Sequence, residues 1–171
     1  MFLEGWLLMT LVAMVPATVP AARLVAVTRG ALHAFLFLTA YVGAWLAGGA
    51  AAYVALSPLA PAVRWAGAGV ALAATAVYEV SPLKDACLRR CRSPLRVLFQ
   101  SSFAGGLRYA VDCGGCCVFL MALMVALGLM SFVWLLVLAL VVLVQKVAPW
   151  GGRSPRVLAL VLATAAVATW L

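Results

Sequence analysis

Apolar residues run along this chain in long blocks, broken by one extended polar stretch between Ser81 and Asp112. The blocks predict helices over about 2–22, 32–56, 65–80, 112–130, 132–147 and 155–171. Most are near the roughly 20 apolar residues that one bilayer crossing requires. Pro16 and Pro20 fall in the last turns of the first block and predict a bend or an early end. The apolar run after Asp112 is too long for one crossing, so Gly128 to Ser131 reads as a hairpin turn. Ser-Pro occurs at 57, 81, 93 and 154. Serine is a good N-cap and proline suits the first helical position, so the last three mark helix starts. Within the polar stretch a short helix is expected from Ser81-Pro82 to about Arg92, with Pro94 breaking or kinking the chain beyond it.

Composition raises this pattern to a class. Of 171 residues, 68% are hydrophobic and 9% charged, and the mean hydropathy is +1.19. Soluble domains are about half apolar and a quarter charged. The chain is therefore expected to be one all-α domain over 1–171: a polytopic membrane bundle of about six transmembrane helices, with a basic loop over 81–111 that holds a short interfacial helix. No length remains for a separate soluble catalytic domain. The opening MFLEGWLLM has no basic region before its apolar core, so it reads as the first membrane helix rather than a cleaved signal peptide.

The net charge of +8 is read as topology rather than as a sign of nucleic acid binding. With six crossings, Arg23, Arg29, Lys84, Arg89, Arg90, Arg92, Arg96, Arg108, Lys146, Arg153 and Arg156 share one side, and Arg64 alone faces the other. Cytoplasmic loops collect Lys and Arg. The expectation is a bacterial inner-membrane protein with the basic loop inside and both termini periplasmic. Its partners are the lipid bilayer and other membrane subunits or copies of itself. Spacings such as Ala44-xxx-Gly48 and Gly69-xxx-Ala73 predict close helix packing. Trp6, Trp65, Trp150 and Trp170 fall near helix ends and suit an interfacial belt.

All five cysteines then fall on the cytoplasmic, reducing side, where structural disulfides are not expected. Cys87 and Cys91 are i and i+4 on the short helix beside Leu88, facing the protein, with Arg89 and Arg92 on the far face. Cys113, Cys116 and Cys117 open the fourth block, with Asp112 as N-cap. At 100° per residue, Cys113, Cys116, Cys117, Met121 and Met124 share a stripe of about 140°. Thiols in a first helical turn gain thiolate character from the helix dipole. Gly114 and Gly115 allow a partner backbone or an ion to come close. Thiolate with thioether selects Cu(I), whereas pure thiolate sets select zinc or iron–sulfur clusters. The candidate metal ligands are Cys87, Cys91, Cys113, Cys116, Cys117, Met121 and Met124, with Met9 or Met14 continuing the sulfur set. The competing reading is that the cysteines and methionines only pack, as small hydrophobes do. CGGC also has thiol-redox spacing, without the strand context of a thioredoxin.

Few other polar groups lie within the apolar blocks. Glu79 is expected to pair with an arginine of the basic loop, His33 to sit at an interface, and Gln145 to hydrogen-bond inside the bundle. Enzyme motifs are absent: there is no Ser-His-Asp grouping, no phosphate-cradling glycine loop and no HExxH.

Tyr78, Pro82-Leu83-Lys84, Cys87-Leu88, Cys91-Arg92, then Gly115-Cys116-Cys117 and Met121, together form a pattern. In it the chain resembles the bacterial "predicted metal-binding" integral membrane proteins, domain of unknown function 2182. LLMTLVAMVPATVP is similar to that family's first helix, though poorer in methionine. Two positions depart from it: Ser131 stands in the Gly-x-Met-Asn turn, and Gln145 stands where the family has an acid before lysine. The resemblance implies metal binding. The function expected is binding, and handling, of a soft transition metal, Cu(I) above all, by a protein that is not an enzyme. The alternative is an accessory subunit of a larger membrane complex.

Overall fold

The structure is a computed structural model that describes residues 2–56, 60–126, 132–148, 151–152 and 154–168. Within these, the side chains of 2–3, 55–56, 60–68, 94, 124–126 and 132 are not described. The expected turn at Gly128–Ser131, along with Trp150, Arg153 and Trp170, lies outside the described residues, as do the side chains of Arg64, Trp65 and Met124.

All regular structure among the described residues is helical. Helix α1 (Phe2–Met9), a π-helical turn (Thr10–Met14) and α2 (Val15–Arg29) form one unbroken rod. The others are α3 (Ala31–Leu56), α4 (Ala60–Glu79), α5 (Pro82–Arg92), a 3-10 segment (Pro94–Phe99), α6 (Ser102–Ala126), α7 (Phe132–Val147) and α8 (Ser154–Ala168). The all-α expectation holds. Among the described residues three helices are long and apolar enough to cross a membrane: Glu4–Arg29, Ala31–Val54 and Ser102–Leu123. Gly69–Glu79, Val133–Val147 and Ser154–Ala168 are shorter apolar helices.

The first rod runs on to Arg29, past the end expected near Ala22. The π turn immediately before Pro16 explains how. Proline lacks an N–H and crowds the preceding turn, and a π bulge widens the helix there. Two threonines flank the bulge with side-chain bonds to the preceding turn: Thr10 Oγ1 donates to Trp6 O at 2.9 Å and Thr18 Oγ1 to Met14 O at 2.8 Å. Gly30, at φ +97°, ends the rod and turns the chain into α3.

Helix α6 starts at Ser102, ten residues before the start expected at Asp112. Asp112 is thus not an N-cap, and Cys113, Cys116 and Cys117 lie mid-helix, beyond the first-turn dipole. The segment read as loop, SSFAGGLRYA, is helical because its glycines pack: any Cβ on Gly106 would strike the Phe37 carbonyl of α3. Close approach in the bundle is made there and at Gly49 against Trp6, rather than at Gly48, which has open space. Ala44 and Gly48 instead line an apolar groove of about 490 Å³ between α3 and α6. Trp6 is not an interfacial residue; it is buried and donates to Trp45 O at 2.8 Å.

Candidate metal centre

Helix α5 carries two of the thiols, and its sequence fixes it over the core. Ser81 accepts the Lys84 N–H as N-cap, with Pro82 in the first turn. Apolar and polar positions alternate at helical spacing, so Cys87, Leu88 and Cys91 are buried while Arg89 and Arg90 are exposed. Arg92 does not face away as expected. Its guanidinium donates to Gln145 O at 2.7 Å and Ala148 O at 2.8 Å, capping the C-terminal carbonyls of α7. Tyr109 of α6 donates to Cys91 O at 3.3 Å.

A buried ion pair ties α4 to α5. Glu79 accepts from Lys84 Nζ, with both side chains fully buried, and Gln145 Nε2 donates to its second oxygen at 3.3 Å. The partner of Glu79 is therefore a lysine of the basic segment, not an arginine, and Gln145 hydrogen-bonds inside the bundle as expected. A carboxylate and an ammonium removed from water are tolerated only when paired and further hydrogen-bonded. This trio meets that condition and holds α4, α5 and α7 in register. His33 is exposed.

All five cysteines are buried in one core. Cys113, Cys116 and Cys117 are at most 1% exposed, Cys91 4% and Cys87 8%, and all are reduced. Cys91 Sγ lies 3.9 Å from Cys116 Sγ, and Cys116 Sγ 3.5 Å from Cys117 Sγ. Cys87 Sγ sits over Gly115, 2.6 Å from where a Cβ would stand, so a side chain there would displace the thiol. Met14 Sδ, from the first rod, lies 3.8 Å from Cys113 Sγ. Met121 is buried in the same core as Met9. Two sulfurs bound to one metal at about 2.3 Å, in tetrahedral or trigonal geometry, stand about 3.8–4.0 Å apart. The Cys91–Cys116 and Cys113–Met14 pairs match that spacing. Among the described residues, no group of three His, Cys, Asp or Glu closes around a single point. Cys116 meets both Cys91 and Cys117, and Cys113 meets Met14.

Two residues that sequence spacing does not single out belong to the site. Lys146 Nζ, on a buried side chain, donates to Cys113 Sγ at 2.8 Å. Tyr41 OH lies 3.0 Å from the same sulfur and 3.4 Å from Met14 O. Burial pushes the Cys87 thiol up, with the neighbouring Cys116 adding to the effect. The Cys91 thiol is also pushed up, first by its hydrogen bond to Cys116 and then by burial. Both are neutral thiols at neutral pH and must lose a proton to bind a metal.

An all-helical protein with membrane-length helices and paired, buried sulfurs fits a metal-handling class. The chain belongs to the PpoB2 family, described as copper chaperones, whose pattern it matches over residues 3–169. No curated protein and no solved structure matches it.

Proposed function

We infer that this protein is a polytopic protein of the bacterial inner membrane that binds and handles Cu(I). The site is the cytoplasmic-side set Cys87, Cys91, Cys113, Cys116 and Cys117, with Met121 and Met124 extending the sulfur into the bilayer. The observation that carries the reading is the 3.9 Å approach of Cys91 Sγ to Cys116 Sγ, which joins a short surface helix to a membrane-length one. Membership of a copper chaperone family supports copper over other thiophilic metals. The thioether of Met14 beside Cys113 supports it separately, because mixed thiolate and thioether donors suit Cu(I). In this reading the first rod, α3 and α6 cross the bilayer with α4, α7 and α8, and both termini are periplasmic. The excess of Lys and Arg on one side supports that orientation.

Metal analysis of protein purified anaerobically in detergent tests the proposal. Wild type is expected to hold copper stoichiometrically, and Cys116→Ser combined with Cys117→Ser to lose it while staying folded. Wild type that takes up no Cu(I) would leave the cysteines as packing residues, in keeping with a subunit of a larger membrane assembly.

A further inference from the structure

A cationic cleft of about 200 Å³ adjoins the thiol cluster, lined by Arg90, Ser93, Arg96, Arg108, Tyr109 and Asp112. It is built on the same helices as the cysteines. Arg90 precedes Cys91 on α5, and Asp112 precedes Cys113 on α6. Its floor is Tyr109, which is 5% exposed and hydrogen-bonds Cys91 O at 3.3 Å. Lys146 Nζ, the donor to Cys113, lies 5.9 Å from the centroid of the same ring. One aromatic side chain thus separates the cleft from the thiols.

The charge of the cleft decides what it admits. Arg90 meets Asp112 at 3.5 Å. Among the described residues no ion pair engages Arg96 or Arg108, and both are exposed. Three guanidinium groups against one carboxylate repel a bare copper ion. They attract carboxylates, which guanidinium binds in bidentate fashion. The cleft is smaller than the roughly 300–1,000 Å³ of a site that encloses a whole drug-sized ligand. It suits one acidic arm of a carrier docked beside the buried sulfurs.

We propose that this cleft docks an anionic low-molecular-weight thiol complex of Cu(I), a carrier bearing carboxylates, as the cytoplasmic source of the cargo. The proposal rests on the copper reading above. The step is ligand exchange. Two carrier-sulfur–copper bonds break and two cysteine-sulfur–copper bonds form. The two cysteine thiols give their protons to the departing carrier thiolates. Copper stays Cu(I) throughout, so no oxidant or reductant is needed.

Stopped-flow transfer into protein held in phosphatidylcholine nanodiscs tests it, with Cu(I)–glutathione as the anionic carrier and Cu(I)–cysteamine as a cationic one. Wild type is expected to load at least about tenfold faster from Cu(I)–glutathione, with the advantage shrinking as salt rises. Arg96→Glu with Arg108→Glu should abolish or reverse the preference while final copper occupancy stays at the wild-type level. Arg96→Gln with Arg108→Gln gives the same readout with milder change, should the charge reversal misfold. Equal rates from the two carriers, or a preference untouched by both variants, would overturn the proposal while leaving copper binding standing. Failure of wild type to load from either carrier would instead sink the copper reading itself. If anionic lipid headgroups hold the cleft, adding phosphatidylglycerol to the nanodiscs will erase the glutathione preference; retention of the preference supports the carrier.

Discussion

Cys113 has two polar neighbours that define its chemistry, the Lys146 ammonium and the Tyr41 hydroxyl. Lys146 donates to the Cys113 sulfur, so in the proposed site its positive charge would stabilise the metal-bound Cys113 thiolate. Lys146→Met should therefore weaken Cu(I) binding about 10- to 100-fold, the worth of one hydrogen bond to a charged group, as read by competition with a chromophoric Cu(I) chelator. Glu79→Gln leaves Lys84 buried without its counter-ion and should cost about 3–5 kcal/mol in unfolding measurements. Glu79→Leu with Lys84→Met should be far milder, since both charges leave together. The raised Cys87 and Cys91 thiols set the pH dependence. Each thiol that binds copper releases a proton, so apparent Cu(I) affinity should rise with pH across the neutral range and fall on acidification, measured by the same competition. At this scale the burial of the cysteines was legible: Cys87 and Cys91 at i and i+4, and a cysteine stripe along α6, both come from helical spacing. Lys146 was not legible as a site residue, because its partner lies 33 positions away on another helix.

Element boundaries show where local signals mislead. Asp112 followed by Cys-Gly-Gly looks like a helix start, and two glycines and an arginine just before it look like a loop. Packing of Gly106 on Phe37 and of Gly105 on Val97 overrides the helix-propensity cost of about 1 kcal/mol per glycine. Gly106→Val should separate α3 from α6 and lower stability by at least about 1–3 kcal/mol. Gly106→Ala should already be felt, because its Cβ meets backbone rather than a movable side chain. The short helix α5 was legible in full, since Ser81, Pro82 and Pro94 punctuate it on both sides. What held it in place was not: Arg92 reaches across to α7, and Lys84 folds back to Glu79. The π turn was equally hidden, as a proline announces a disturbance without saying that the helix will absorb it.

Across the whole molecule, the distribution of charge and of sulfur coincide. The cleft-lining arginines and all five cysteines belong to α5, α6 and the 3-10 segment between them. Reporter insertions between Ser93 and Gln100 should score as cytoplasmic, and insertions near Ser57 as periplasmic; the opposite pattern would invert the proposed orientation. The all-helical class was legible from composition and apolar blocks. The number of crossings is less plain, with three helices of membrane length and three shorter apolar ones. The account stands or falls on copper bridging α5 and α6 through sulfur. X-ray absorption of the anaerobically loaded protein tests this most directly. The account predicts Cu(I) in an all-sulfur first shell for wild type, with loss of sulfur ligation in Cys91→Ser combined with Cys116→Ser. A shell of nitrogen or oxygen donors, or an unchanged sulfur shell in that double variant, would contradict it.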